Sequence, residues 1–273
     1  MKKTLASSAA ALLALATLLA PASFAAEPPP LPKDFPAFGA DRPLPVPAIA
    51  KSTLPNGLAV WFVRRTGFPK VSIALAVRGG TAADPAGLEG VSDLLAATMK
   101  EGAAKKSSRQ IAEELQAIGG DLSAAASADA LYVRASALAS GTPRLLDLLG
   151  AVALAPAFPP AEVELAKENA LQELEAAEST PGYLAEKAFA KAVYGSHPYH
   201  VVSASRETIG KTTPDILRAE HARRFRPDQA LLVVAGDLDE AATKAVVAKV
   251  FGAWKATGAT IPPAPPSPEA RPR

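Results

Sequence analysis

Few side chains in this sequence could do chemistry. It holds three histidines and no cysteine, so thiol nucleophiles and cysteine-held metals are excluded. His197 and His200 flank Pro198-Tyr199, and a His-x-x-His pair can bind a metal. No acidic partner stands near it to orient the imidazoles, so the pair reads as a packing and turn element of a loop. His221, within Glu220-His221-Ala-Arg-Arg224, reads as a surface residue of an amphipathic helix. Arg223, Arg224 and Arg226 form a small basic cluster that could touch peptide carboxylates, though its simpler reading is a solvated face. No Gly-x-Ser-x-Gly elbow is present. Gly236-Asp237 ends a strand, but no glycine-rich phosphate loop accompanies it.

The elements that must position these residues follow from periodicity. Leu58 to Val63 and Val71 to Val77 read as strands, with Pro55-Asn56-Gly57 as a tight turn before the first. Leu88 to Met99 reads as a helix, because apolar residues at 88, 91, 94, 95 and 99 share one stripe. Ser108 is expected to cap a second helix that buries Ile111, Leu115 and Ile118 and stops at Gly119-Gly120. Leu122 to Ala126 and Leu131 to Leu138 form a hairpin pair. Helices are expected over Pro143 to Leu154, Pro160 to Glu178 and Pro181 to Val193. A further helix, Pro214 to Phe225, precedes the strand Ala230 to Ala235, and the last helix runs from Glu240 to Trp254. Strands in pairs with helices in pairs between them give an α+β two-layer sandwich, its sheet mostly antiparallel and its helices on one face.

The N-terminus reads as a signal peptide over residues 1–25. Lys2 and Lys3 precede an apolar stretch from Leu5 to Leu19, and Ser23 and Ala25 supply small residues before a cut after Ala25. That stretch is shorter than the ~20 residues needed to span a bilayer. The expectation is a periplasmic or secreted protein with no membrane span once the signal is removed. Residues 26–50 form a proline-rich lead-in, 51–257 the folded domain, and 258–273 a proline-rich linker or truncated end. A formal net charge of +2 leaves no footprint for nucleic acid.

Several stretches in order give the fold a family likeness. They are Thr53-Leu-Pro-Asn-Gly57; Gly79-Gly80-Thr81 with Asp84-Pro85, Gly87 and Gly90; Gly119-Gly120 with Ser123-Ala; and Leu131-Tyr-Val133. The Glu-rich helix from Glu162, His197-Pro198-Tyr199, and Arg226-Pro227 with Val234-Ala-Gly236-Asp237 complete the series. Together they resemble the N-terminal domain of the pitrilysin (insulinase) family of zinc metallopeptidases, with a mitochondrial-processing-peptidase-like fold.

That family carries an inverted zinc motif, His-x-x-Glu-His, on the helix that here spans Leu88 to Met99. The five positions hold Asp93, Leu94, Leu95, Ala96 and Ala97. Ligands one turn apart share a helix face, and the Glu reaches the zinc-bound water. Both imidazoles and the general base are therefore absent. The resemblance places the family's third ligand at Glu173, in Glu168-Asn-Ala-Leu-Gln-Glu173. Asp93 and Glu173 remain as weak metal candidates, since two carboxylates make a poor zinc site. On its own helix face, Glu173 reads as an exposed charge.

What the resemblance implies is a catalytically inactive homologue. It would serve as a structural or substrate-binding subunit of a periplasmic zinc-peptidase assembly that handles unfolded peptides. No cofactor is expected in this chain; zinc would sit in an active partner subunit. The partner is either such a subunit or a C-terminal half-domain. Two alternatives stay open: an active endopeptidase with a metal site rebuilt from Asp93 and Glu173, and a stand-alone peptide-binding module.

Overall fold

The computed structural model describes residues 46–266 and the isolated Gly39. The expected signal peptide, most of the lead-in and residues 267–273 lie outside the described residues. The strands are β1 (Ile49–Thr53), β2 (Ala59–Arg64), β3 (Lys70–Arg78), β4 (Gly102–Ala103), β5 (Lys106–Ser107), β6 (Asp121–Ala126), β7 (Ala130–Leu138) and β8 (Ala230–Gly236). The helices are α1 (Val91–Thr98), α2 (Ser108–Ala117), α3 (Thr142–Leu154), α4 (Pro160–Glu178), α5 (Pro181–Tyr194), α6 (Arg206–Lys211), α7 (Pro214–Arg224) and α8 (Glu240–Phe251).

Six strands form one sheet in the order β1-β2-β8-β3-β7-β6, and β4 pairs with β5 in a small separate ladder. Among the described residues, only β2 and β8 run parallel within the large sheet. The α+β sandwich with a mostly antiparallel sheet is thus what the strand pattern predicts. Alternation drives it. On β3, Val71, Ile73, Leu75 and Val77 point into the core, and on β7 Leu131, Val133, Ala135 and Ala137 do the same. Leu94 and Leu95 of α1 and Leu145, Leu146, Leu148 and Leu149 of α3 cover that face. Each buried Val, Leu or Ile side chain among them contributes about 1.5–3 kcal/mol by leaving water.

The structure corrects the expected elements at several points. β1 begins at Ile49, inside the proline-rich lead-in, and registers Lys51 opposite Trp61 in β2. The α2 cap is Ser107, not Ser108; its side chain accepts from the Gln110 N–H while the Gln110 side chain returns to the Ser107 backbone. α6 is a single short helix with its own Ser205 cap, in a stretch that shows no apolar period. The last helix ends at Phe251 rather than Trp254.

The chain also stays packed beyond residue 257. Ile261 is buried and its backbone is held at both ends by the Gln229 amide, at 2.8 Å each. Gly79, with φ +99°, accepts this contact because any Cβ there would lie 2.8 Å from Ile261 Cδ1. Farther on, His197 Nε2 donates to the Pro265 carbonyl at 2.8 Å. Among the described residues, no helix is long and apolar enough to cross a membrane.

Candidate functional site

α1 is held by its N-terminus. Gly90 caps it at φ 91°, where a Cβ would meet the Ala204 side chain at 2.3 Å. In place of a capping side chain from Gly90, Asp84 Oδ2 accepts the Gly90 N–H at 2.7 Å and Oδ1 accepts the Ser92 hydroxyl at 2.5 Å. Behind Asp84 stands Arg224, fully buried. Its guanidinium donates to Asp84 at 2.8 Å, to Glu220 at 2.9 Å, to the Gly79 carbonyl at 2.7 Å, to the Gly80 carbonyl at 3.0 Å, and to Ser92. Arg223 joins it on Glu220 at 2.6 Å and on the Ala83 carbonyl at 2.8 Å. Burial pushes the Glu220 carboxyl up, but the bonds from Arg223 and Arg224 outweigh it and hold it low.

The basic cluster is therefore no solvated face. Arg226 too is largely buried, pairing with Asp228 at 2.9 Å and donating to the carbonyls of Thr257, at 2.8 Å, and Gly258. The sequence shows the i,i+4 spacing of Glu220 and Arg224 but not the 79–84 loop that folds over them. His221 is likewise no surface residue. It donates from Nε2 to the Ala153 carbonyl at 2.8 Å and stacks on Phe225 with ring centroids 4.4 Å apart. Burial pushes its pKa down, so it is a neutral packing group.

The His-x-x-His pair is occupied with structure. His197 accepts the Tyr199 N–H on Nδ1 and donates from Nε2 to Pro265, leaving neither nitrogen free. His200 Nδ1 donates to the His197 carbonyl at 2.8 Å.

The opposite side of α1 opens into a cleft of about 590 Å³ between α1 and α4. Asp93 and Ala97 line it from α1, and Glu173 lines it from α4. The structure thus brings together the two outer motif positions and the expected third-ligand position. Ala96 does not line the cleft; it is buried against the core at 4 % exposure. Glu173 is exposed, and it faces this cleft. Solvent reaches Asp93 at the cleft mouth, yet the walls around it strip away much of its hydration. That burial, and then the Asp84 carboxylate, push its pKa up to about 6. Glu173 is not among the charges that raise it.

A catalytic zinc needs three protein donors and one open position. Ala97 offers no donor atom, which leaves only the carboxylates of Asp93 and Glu173. Among the described residues, no group of three or more His, Cys, Asp or Glu side chains converges on a metal position. The residues present do not fit that ion. α1 also packs on β6, which among the described residues is a sheet edge paired with β7 alone.

Comparison with known proteins agrees with this architecture. The profile described as insulinase (Peptidase family M16) matches residues 60–202, and that of the peptidase M16 inactive domain matches residues 211–273. An uncharacterized zinc protease of Bacillus subtilis, YmxG, is 26 % identical over 211 residues, which cover 77 % of this chain and 51 % of that protein. The chain spans about half the length of the curated relatives it matches. Among solved structures, the peptidase M16 inactive domain from Pseudomonas fluorescens superposes with a TM-score of 0.74 at 27 % identity, covering 81 % of this chain and 54 % of that one. The first half of the periplasmic protease PqqL from Escherichia coli shares the fold, with a TM-score of 0.72 at 17 % identity over 81 % of this chain and 49 % of that chain. On these matches, over an α+β sandwich with its cleft at α1, the chain belongs to the insulinase family, peptidase family M16.

Proposed function

We propose that this chain is a non-catalytic half-unit of an M16 assembly that binds extended peptides while a partner supplies the zinc. The observation that carries the reading is the pairing of a preserved scaffold with an emptied motif. Asp93, Ala96 and Ala97 occupy the positions of two ligands and a base, yet the helix under them remains anchored through Asp84 and Arg224. What such a scaffold still provides is a cleft walled by α1 and a sheet edge, β6, against which α1 packs. An extended peptide can add to that edge through main-chain hydrogen bonds, with side chains entering the cleft. The signal segment over residues 1–25 would place the subunit in the periplasm or outside the cell. The partner would be an active M16 subunit or a C-terminal half-domain.

The test uses residues 26–273 and a fluorescein-labelled, unstructured 15-residue peptide. Anisotropy is expected to report binding that zinc and chelators leave unchanged, with no cleavage on prolonged incubation. Zinc-dependent cleavage by the isolated chain would end the proposal. So would a stoichiometric metal that survives dialysis and is lost in Asp93→Ala.

A further inference from the structure

One rim of the large sheet gathers apolar side chains that the core leaves out. β1 begins at this rim, because Ile49 registers with Val63 near the end of β2. β3 begins there too, with Lys70 opposite Leu138 at the end of β7. Between them the loop 65–69 crosses the end of β8, and its backbone is pinned on both sides. The Arg65 N–H donates to the Gly236 carbonyl at 2.8 Å, the Asp237 N–H to the Lys70 carbonyl at 3.0 Å, and the Ala139 N–H to the Pro69 carbonyl at 2.9 Å. Phe68 is 82 % exposed on this loop, and Val46 at 85 %, Ile49 at 44 % and Leu138 at 53 % stand along the same rim. At Gly67, beside Phe68, an added Cβ would meet nothing within 4 Å, so the tip stands in open space. Arg64, Arg65 and Lys70 are exposed around it, and among the described residues none of the three forms an ion pair. The acids near the rim serve the fold: Asp121 accepts the Ser136 hydroxyl at 2.5 Å, Asp239 caps α8 by accepting the Ala242 N–H at 2.8 Å, and Asp237 is half-buried at the end of β8. A single exposed apolar residue needs no explanation, but a row of them marks a contact surface.

We infer that this rim docks on the surface of an anionic phospholipid bilayer. The inference does not depend on the half-unit reading, and none of the rim residues lines the α1–α4 cleft. Two features select this occupant. The first is charge. Three cations without carboxylate partners complement a leaflet of anionic headgroups, which attracts each Lys or Arg near its surface. The phenyl ring of Phe68 then enters the boundary between headgroups and acyl chains. The second is shape. Neighbouring strands lie about 4.8 Å apart and a sheet layer is about 10 Å thick, so the rim from β1 to β7 is roughly 19 Å long and offers on the order of 200 Å². A stable protein interface needs about 800 Å² per partner. A folded partner or a second copy meeting here falls short, and it would also need a pocket for a convex tip. A bilayer needs no pocket, and a straight rim suits a flat surface.

The test uses residues 26–273, so that the apolar stretch from Leu5 to Leu19 cannot itself partition. The chain is sedimented with vesicles of phosphatidylcholine alone, and with vesicles in which about one third of the lipid is phosphatidylglycerol. Sedimentation is expected with the anionic vesicles, fading as salt rises toward ~1 M and the Debye length falls to about 3 Å. Phe68→Ser should lower partition ~10-fold, and Arg64→Gln with Arg65→Gln should lower it about fivefold for each charge removed. Phe189→Ser, at an exposed aromatic on α5 rather than on the rim, should sediment as the wild type does. All these sites are exposed, and matching unfolding midpoints check that the variants fold. Absence of sedimentation with anionic vesicles overturns the inference, and so does equal sedimentation with both vesicle types. Wild-type partition in either rim variant, or an equal loss in Phe189→Ser, overturns it too. If the chain ignores vesicles but is retained by an immobilised polyglutamate peptide, the rim serves an acidic protein segment and the inference falls.

Discussion

The two sides of α1 differ sharply. Toward the loop 79–84 and α7, every polar group near its first turn is matched: Asp84 takes the Gly90 N–H and the Ser92 hydroxyl, and Arg224 spreads its bonds over Asp84, Glu220 and two carbonyls. Toward the cleft, the same helix offers Asp93 with a raised pKa, a bare Ala97 and, across the gap, an exposed Glu173. A buried charge left without partners costs several kcal/mol, whereas a cleft wall open to water tolerates almost any residue. Stability therefore constrains the back of the helix whatever its front does. Family architecture persists on one side, while the other carries Asp93, Ala96 and Ala97 at the motif positions.

The largest effect should come from breaking the saturated side. Arg224→Met removes the one cation that faces both Asp84, whose side chain is 2 % exposed, and Glu220. Stranding Asp84, with Glu220 left to Arg223 alone, is expected to cost about 3–5 kcal/mol, read as a lower midpoint in guanidinium unfolding. A loss under about 1 kcal/mol would mean that water reaches the cluster and that it does not anchor α1.

The second test fills the cleft side. Asp93→His with Ala97→His puts two imidazoles one turn apart, facing Glu173, which satisfies the three-donor requirement for zinc. About one zinc per chain is expected by metal analysis, and zinc at a hundred times its Kd should stabilise the variant by about 2.7 kcal/mol. Adding Ala96→Glu should not change the zinc content. Because Ala96 is buried rather than cleft-lining, the new carboxyl should cost about 1–3 kcal/mol unless it reaches the cleft. A folded double variant that takes up no zinc would show that Glu173 does not close onto α1.

This asymmetry also decides what the sequence reveals. Periodicity reads the core strands and α1, because burial writes itself as alternation on β3 and as one apolar stripe on the helix. The motif positions are legible because they are local to one helix. The ion cluster is not: Asp84 and Arg224 stand 140 residues apart, and a lone arginine pair on a helix reads as surface until the loop folds over it. β1 escapes notice because five residues next to prolines show no period, and only the register with β2 defines them as a strand. The strap is hidden for a similar reason. A proline-rich tail predicts an extended chain but not the Gln229 amide that holds it.

The smallest effect separates the two sides by pH. In the folded chain Asp93 titrates near 6 instead of the ordinary 3.8, because of burial and Asp84. Its folded pKa lies above the unfolded one, so its contribution is fully present below pH 3.8 and is lost as the pH rises through 6. At pH 7.5 the wild-type chain must hold an ionised carboxylate against the cleft wall, and Asp93→Asn relieves that. Solvent at the mouth screens the charge, so the expected gain is on the order of 1 kcal/mol at pH 7.5, fading to nothing in acid. Urea unfolding of both proteins at the two pH extremes measures the difference. A gain of equal size at both would trace it to shape rather than charge. The front of α1 would then be electrostatically as quiet as Ala97, and the only charge the fold depends on at this helix would be the one held by Arg224.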